Sequence, residues 1–194
     1  MRDVISTTIC GECGKKMVGS KGEYRYTECG LNSVILKGVL VYRCENCNAV
    51  SAEIPAAGVL HRIIALRILE KKNQLSGSEI RFLRKLCGFS VNEFAEILGT
   101  SKTVISRMEK TGCGAANDRL VRLLVMTKMA REIAGQATPA LANVTVQKLA
   151  ELVEDALKVV QGKANAGESY EIFPEDIAQY SFPMPEPEAG LSLQ

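Results

Sequence analysis

The chain lacks several features that define common classes of protein. It has no tryptophan, one histidine and only 5% aromatic residues in 194, so a core must consist mainly of aliphatic side chains. Its longest apolar runs, residues 33–42 and 60–69, are too short or too charged to cross a bilayer. Because the N-terminus has no apolar signal region, we expect a cytoplasmic protein without membrane contact. A composition of 46% apolar and 24% charged residues suits one or two small folded domains.

Seven cysteines in a chain expected in the reducing cytosol favour a metal site over disulfides. Four of them form two CxxC pairs, Cys10 with Cys13 and Cys44 with Cys47, which are separated by 30 residues. Each CxxC turn points two thiolates at one position, so we predict that one Zn²⁺ per chain is bound by all four. Four protein ligands leave no open position on the ion, and the site is therefore predicted to be structural. An iron site of rubredoxin type and four unliganded buried cysteines are the alternatives.

The residues around the cysteine pairs predict a small β domain. Gly14 and Asn48 each follow a CxxC pair, where a positive φ is favoured and where both residue types are tolerated. Residues 23–28 and 34–42 are rich in β-formers. We expect a zinc-ribbon-like sheet with so little apolar mass that zinc supplies much of its folding free energy. Neither Cys29 nor His61 is predicted to be a ligand.

Signals for three successive helices lie between residues 76 and 110. The first helix is predicted over residues 76–88, from an N-cap serine to a terminal glycine. Ser90 and Glu93 have the spacing of a capping box at the start of the second helix. Gly99 provides the tight turn before a third helix over residues 100–110. This arrangement predicts two short helices that cross steeply and close a core with the helix before them.

The outward side chains of the third helix are polar or basic. Residues 76–131 contain ten basic and five acidic residues, and such a surface attracts phosphate. Arg107 has the bidentate fork that recognises guanine, whereas lysines contact phosphates. The predicted DNA-binding residues are Ser101, Lys102, Thr103, Ser106, Arg107 and Lys110. An ordinary helical hairpin with a solvated polar face is the alternative.

Residues 90–109, SVNEFAEILGTSKTVISRME, resemble the helix-turn-helix of the lambda-repressor and Cro type. One departure is Val91, since this family commonly has a glutamine after the cap. Together with the four-cysteine head, the helix-turn-helix makes residues 1 to about 130 similar to the MqsA-type antitoxin family.

The resemblance to this antitoxin family implies a function without catalysis. It implies zinc on the four cysteines, DNA contacts from Thr103 and Arg107, and a homodimer that binds a palindromic operator in double-stranded DNA. It also implies a transcriptional repressor that controls its own operon and neutralises a small ribonuclease toxin. A stand-alone zinc-containing regulator without a toxin, or a rubredoxin-like iron protein, is the alternative.

The predicted fold class is α+β, mostly α, in which a small zinc-ribbon-like β domain precedes a helical bundle of the lambda-repressor/Cro type. A stripe of apolar residues at helical spacing over 146–160 predicts one further amphipathic helix. Six acidic residues, no basic ones and four prolines from residue 164 onward predict a solvated acidic tail. The predicted segments are a zinc-binding β domain (1–55), a helical linker (56–75), a helix-turn-helix domain (76–134), an amphipathic helix (135–162) and an acidic, proline-containing tail (163–194).

Overall fold

A computed structural model of the chain describes residues 6–54, 56–136 and 169–179, which form an α+β fold. The amphipathic helix predicted over 146–160 lies outside these residues. The strands are β1 (Ser6–Ile9), β2 (Lys16–Arg25), β3 (Val34–Cys44), β4 (Val50–Ala52) and β5 (Tyr170–Ile172). The helices are α1 (Ala57–Glu70), α2 (Gly77–Leu86), α3 (Val91–Ile97), α4 (Lys102–Thr111), α5 (Ala115–Gln136) and α6 (Pro174–Gln179).

The sheet is centred on the long antiparallel hairpin of β2 and β3. Strand β1 pairs antiparallel with the first part of β2, and the strand order is β1-β2-β3-β4. The register between β2 and β3 shifts at Gly22 and Glu23, which marks a β-bulge. The far edge of β3 has two partners: β4 is antiparallel to Val41–Arg43, and β5 is parallel to Val34–Leu36.

The C-terminal segment is not a solvated tail over residues 169–179. Strand β5 pairs with β3, and Tyr170, Ile172 and Ile177 are 8%, 1% and 5% exposed within the main core. Lys37 forms an ion pair with Glu171 at 2.7 Å, which neutralises part of the acidic charge. The prediction of a solvated tail was wrong here because these three apolar side chains outweigh the acidic residues between them.

Helix α1 lies at the centre of the main core, although it was predicted to be a linker. Leu60, Ile64, Ala65 and Ile68 have no exposed surface, and they belong to the same cluster as Leu36 of the sheet. The sheet therefore shares its core with α1. Burial against α1 adds apolar area that can stabilise residues 1–55 beside any contribution from zinc.

A buried ion pair on α5 fixes the connection between α1 and α2. Asp118 and Arg122 are 0% and 2% exposed, and Nε of Arg122 donates to Oδ2 of Asp118 at 2.7 Å. The other oxygen of Asp118 accepts the N–H of Leu75 at 2.6 Å. Arg122 also donates to the carbonyls of Leu69 and Asn73 at 2.7 and 2.8 Å. These bonds satisfy backbone groups that the end of α1 leaves without helical partners.

A second buried pair holds α2 against α4. Arg84, which is 7% exposed, pairs with Glu109 of α4 and donates to the carbonyl of Phe89 at 2.7 Å. Arg84 and Arg122 were both counted in the basic excess of residues 76–131. Both are buried and paired, so neither contributes to the charge that this region presents to a ligand.

We predict opposite effects on stability from two glycine-to-alanine substitutions. A Cβ at Gly77 would lie 2.5 Å from the backbone oxygen of Glu109, so Gly77→Ala must shift α2 from α4 and should lower the free energy of unfolding by about 1–3 kcal/mol. Gly58 in α1 has no atom within 4 Å of that position, and Gly58→Ala should raise this free energy by about 0.4–1 kcal/mol. Urea unfolding measures both changes; equal effects would contradict the close approach of α2 and α4.

Candidate functional site

The four cysteines of the two CxxC pairs converge at one end of the sheet. Their sulfur atoms all lie within 4.8 Å of one another. The Cys10–Cys47 and Cys13–Cys44 sulfur distances, each of which joins one pair to the other, are 3.5 Å. Cys10 and Cys44 pack with Met17 in a small cluster that is separate from the main core.

The two cysteine turns have the same backbone geometry. The N–H of Cys10 donates to the carbonyl of Lys15 at 2.8 Å, and the N–H of Gly14 donates back to Cys10 at 2.9 Å. The N–H of Cys44 donates to the carbonyl of Ala49, and the N–H of Asn48 donates to the carbonyl of Cys44, both at 2.9 Å. Gly14 and Asn48 have φ values of 69° and 59°, so both predictions of a positive φ are confirmed. Two matching turns thus present four sulfurs to one point.

The spacing of these sulfurs fits a tetrahedral metal ion. Four metal–sulfur bonds of about 2.3 Å in a tetrahedron place the sulfurs about 3.8 Å apart. The observed range from 3.5 Å to within 4.8 Å brackets that value. A metal-binding cluster formed by Cys10, Cys13, Cys44 and Cys47 is therefore present, and both Zn²⁺ and iron accept such a set of ligands.

Backbone N–H groups and neighbouring sulfurs shift the pKa values of two thiols in the cluster. The backbone N–H of Cys47, followed by that of Asn46, lowers the pKa of Cys44 to about 7. The N–H of Ala49 lowers the pKa of Cys47, but the neighbouring sulfurs of Cys13 and Cys10 raise it, to about 12 overall. A cation bound to the four sulfurs would offset the repulsion between neighbouring thiolates. Metal binding would then release protons, so the affinity for metal would fall as the pH falls.

Cys29 and His61 lie outside the cysteine cluster. The Cys29 thiol donates to the carbonyl of Tyr26 in the turn after β2, at 3.3 Å. Nε2 of His61 is 2.8 Å from the hydroxyl of Tyr26, and its ring also contacts Phe82 of α2. Burial lowers the pKa of His61. His61 therefore connects the sheet, α1 and α2.

The predicted DNA-binding residues share one exposed side of α4 and its N-cap. Ile105 and Met108 are 0% and 5% exposed and anchor the opposite side of this helix in the core. The side-chain oxygen of Ser101 accepts the N–H of Val104 and so caps the helix. The exposed residues at this surface are Ser101, Lys102, Thr103, Ser106, Arg107 and Lys110. Among the described residues, no ion pair involves Lys102, Arg107 or Lys110.

Two features that position α4 were not found by the sequence analysis. The Arg84–Glu109 pair and the close approach of Gly77 fix the end of α4 that follows Arg107. An arginine and a glutamate 25 residues apart give no local signal in the sequence. Gly77 directly follows the N-cap serine, at a position where an alanine would favour the helix more. A glycine there is therefore a sequence signal that another part of the chain approaches closely.

We predict that Cys44→Ser abolishes metal binding, whereas Cys29→Ser retains one ion per chain. Cys44 lies in the cluster, and Cys29 contacts only Tyr26 among the groups described above. Elemental analysis of purified protein measures this difference. Because the inner face of the sheet packs against α1, the Cys44→Ser variant should keep its helices, which circular dichroism would reveal. An equal metal content in both variants would exclude the four-cysteine centre.

No helix within the described ranges is both long and apolar enough to span a membrane. No protein-family model matches the chain, and no curated protein or solved structure is significantly similar to it.

Proposed function

We propose that this chain is a sequence-specific DNA-binding transcriptional repressor with a structural zinc ion. The observation that carries the proposal is the surface of α4, where three cations and three hydroxyl side chains stand opposite two buried anchors, and where the described part of the chain gives these cations no ion pair. A helix of 10 residues with such a face fits a major groove. In this role Arg107 reads a guanine edge, while Lys102 and Lys110 hold phosphates.

The surroundings of α4 support a helix-turn-helix of the lambda-repressor and Cro type. Helix α3 starts with the predicted capping box of Ser90 and Glu93, and it contacts α4 across a turn at Gly99, whose φ is 61°. Ala95 is 4% exposed and gives α4 room to approach. The recognition helix is then α4, and α2 closes the core behind it. Two copies in a homodimer would place two such helices on a palindromic operator, one helical turn apart.

The four-cysteine centre supports a zinc-ribbon-like head. In this proposal Cys10, Cys13, Cys44 and Cys47 hold Zn²⁺ with no open position, so the ion stabilises the cysteine turns and takes no part in a reaction. An iron centre of the same geometry would be coloured when oxidised, whereas the zinc protein is colourless.

We propose further that the repressor is the antitoxin of a toxin–antitoxin pair, with a small ribonuclease as its partner. A stand-alone zinc-containing regulator is the second candidate. Co-expression with the product of any small, basic open reading frame beside the gene separates them. Co-purification and loss of ribonuclease activity in the complex support the antitoxin. If the neighbouring product does not bind this chain and does not cleave RNA, the regulator without a toxin is favoured.

We predict that Arg107→Ala weakens binding to the cognate site by about 1–3 kcal/mol and relaxes the base preference at one position. Selection from random DNA first identifies the site, and gel shifts then measure the affinity. Lys85→Ala is the matched control, because Lys85 is an exposed cation on α2 and is not one of the predicted DNA-binding residues. An unchanged affinity for the Arg107 variant would rule out base readout by this residue.

A different result is expected for Lys102→Ala. If Lys102 holds a phosphate, its loss should weaken binding by a similar factor on specific and non-specific DNA. The slope of the logarithm of the binding constant against the logarithm of salt concentration should fall by about 1. A slope that matches the unsubstituted protein would contradict this contact.

A further inference from the structure

The four cysteines of the metal cluster differ in their access to solvent. Cys10 and Cys44 are each 2% exposed, whereas Cys13 is partly buried and Cys47 is exposed. In each cysteine turn the first cysteine is buried and the second is more exposed. An oxidant in solution therefore meets Cys47 first, because it is the most exposed cysteine of the four and oxidation of a thiolate requires access to it.

Two sulfur–sulfur contacts join one cysteine turn to the other. Cys47 is 3.5 Å from Cys10, and Cys44 is 3.5 Å from Cys13. Once Cys47 is oxidised, the sulfur of Cys10 is therefore close enough to react with it. The geometry permits a disulfide between the two turns.

We propose that the four-cysteine centre is a redox site, in which a hydroperoxide oxidises Cys47 and joins it to Cys10 with release of the metal ion. This inference rests on the proposed metal centre. The Cys47 thiolate attacks a peroxide oxygen, the O–O bond breaks, and a sulfenic acid and a hydroxide or alkoxide form. The Cys10 thiolate then attacks the sulfenic sulfur, the S–O bond breaks, and hydroxide leaves as the S–S bond forms. The two thiolates supply the two electrons that reduce the peroxide.

Loss of the ion is confined to the end of the sheet that carries the cysteines. The cluster of Cys10, Met17 and Cys44 is separate from the main core, which contains α1 and the buried anchors of α4. Oxidation therefore opens the cysteine turns and leaves the helices folded. The surface that the head offers to a partner changes, while α4 keeps its supports.

The test is a titration of the full-length, metal-loaded protein with hydrogen peroxide. Elemental analysis first gives the metal content, and a chromophoric chelator then follows the release of the ion. We expect about one ion released for each peroxide consumed, a disulfide between Cys10 and Cys47 in peptide mass spectra, and unchanged helical circular dichroism. Reduction with dithiothreitol and added Zn²⁺ should restore the starting protein.

Two variants make the test specific. The combined variant Cys29→Ser, Cys87→Ala and Cys113→Ala removes the cysteines outside the cluster, and it should release the ion as the unsubstituted protein does. Cys47→His keeps four ligands in a Cys₃His set but removes the accessible sulfur, so release should be at least about tenfold slower. If this variant does not bind metal, the disulfide map of the unsubstituted protein still tests the proposal, which requires a disulfide between Cys10 and Cys47.

Two failures can be told apart. Protein that contains no metal before peroxide is added contradicts the metal centre itself. Protein that contains metal but retains it, or that forms disulfides only within the CxxC pairs or at the other three cysteines, overturns the redox proposal and leaves the metal centre in place.

Discussion

The burial of α1 between the sheet and the helices is the interaction on which the rest of the structure depends. Four residues of this helix have no exposed surface, and its His61 contacts both Tyr26 in the turn after β2 and Phe82 of α2. The end of α1 is fixed by the buried pair of Asp118 and Arg122, which removes the need for a C-cap glycine there. Helix α1, which was predicted to be a helical linker, thus joins the sheet and the other helices in one core.

The local features of both candidate sites follow from the sequence, because each has a cause within a few residues. A CxxC turn requires a residue with positive φ after it, and Gly14 and Asn48 provide one. A serine three residues before a glutamate predicts a capped helix start, and α3 begins with such a box. These local signals predict where the four sulfurs and the exposed side of α4 lie, without any knowledge of the packing.

The features that the sequence did not reveal are non-local. Parallel pairing of β5 with β3 joins residues from opposite ends of the chain, and three residues are too few for a strand signal. Arg84 and Arg122 were counted among the basic residues that could attract phosphate, because a count of residues does not show their buried partners, Glu109 and Asp118. Composition gives the number of charged residues, but it does not show which of them form ion pairs in the interior of the fold.

The metal centre and α4 are supported by different parts of the molecule. The sulfurs lie in a small cluster at one end of the sheet, whereas α4 is held by Ile105, Met108 and the contacts of its end with α2. Changes at the cysteine turns can therefore leave the exposed side of α4 intact.

The placement of β5 affects how the chain matures during synthesis. A nascent chain leaves the ribosome from its N-terminus, so the hairpin and α1 emerge long before Ile172 and Ile177. Until those last side chains arrive, the edge of β3 and the adjoining face of α1 have unfilled apolar positions. Completion of the core therefore waits until residues 170–177 have been synthesised, and a chain truncated before Tyr170 has an unprotected strand edge on β3.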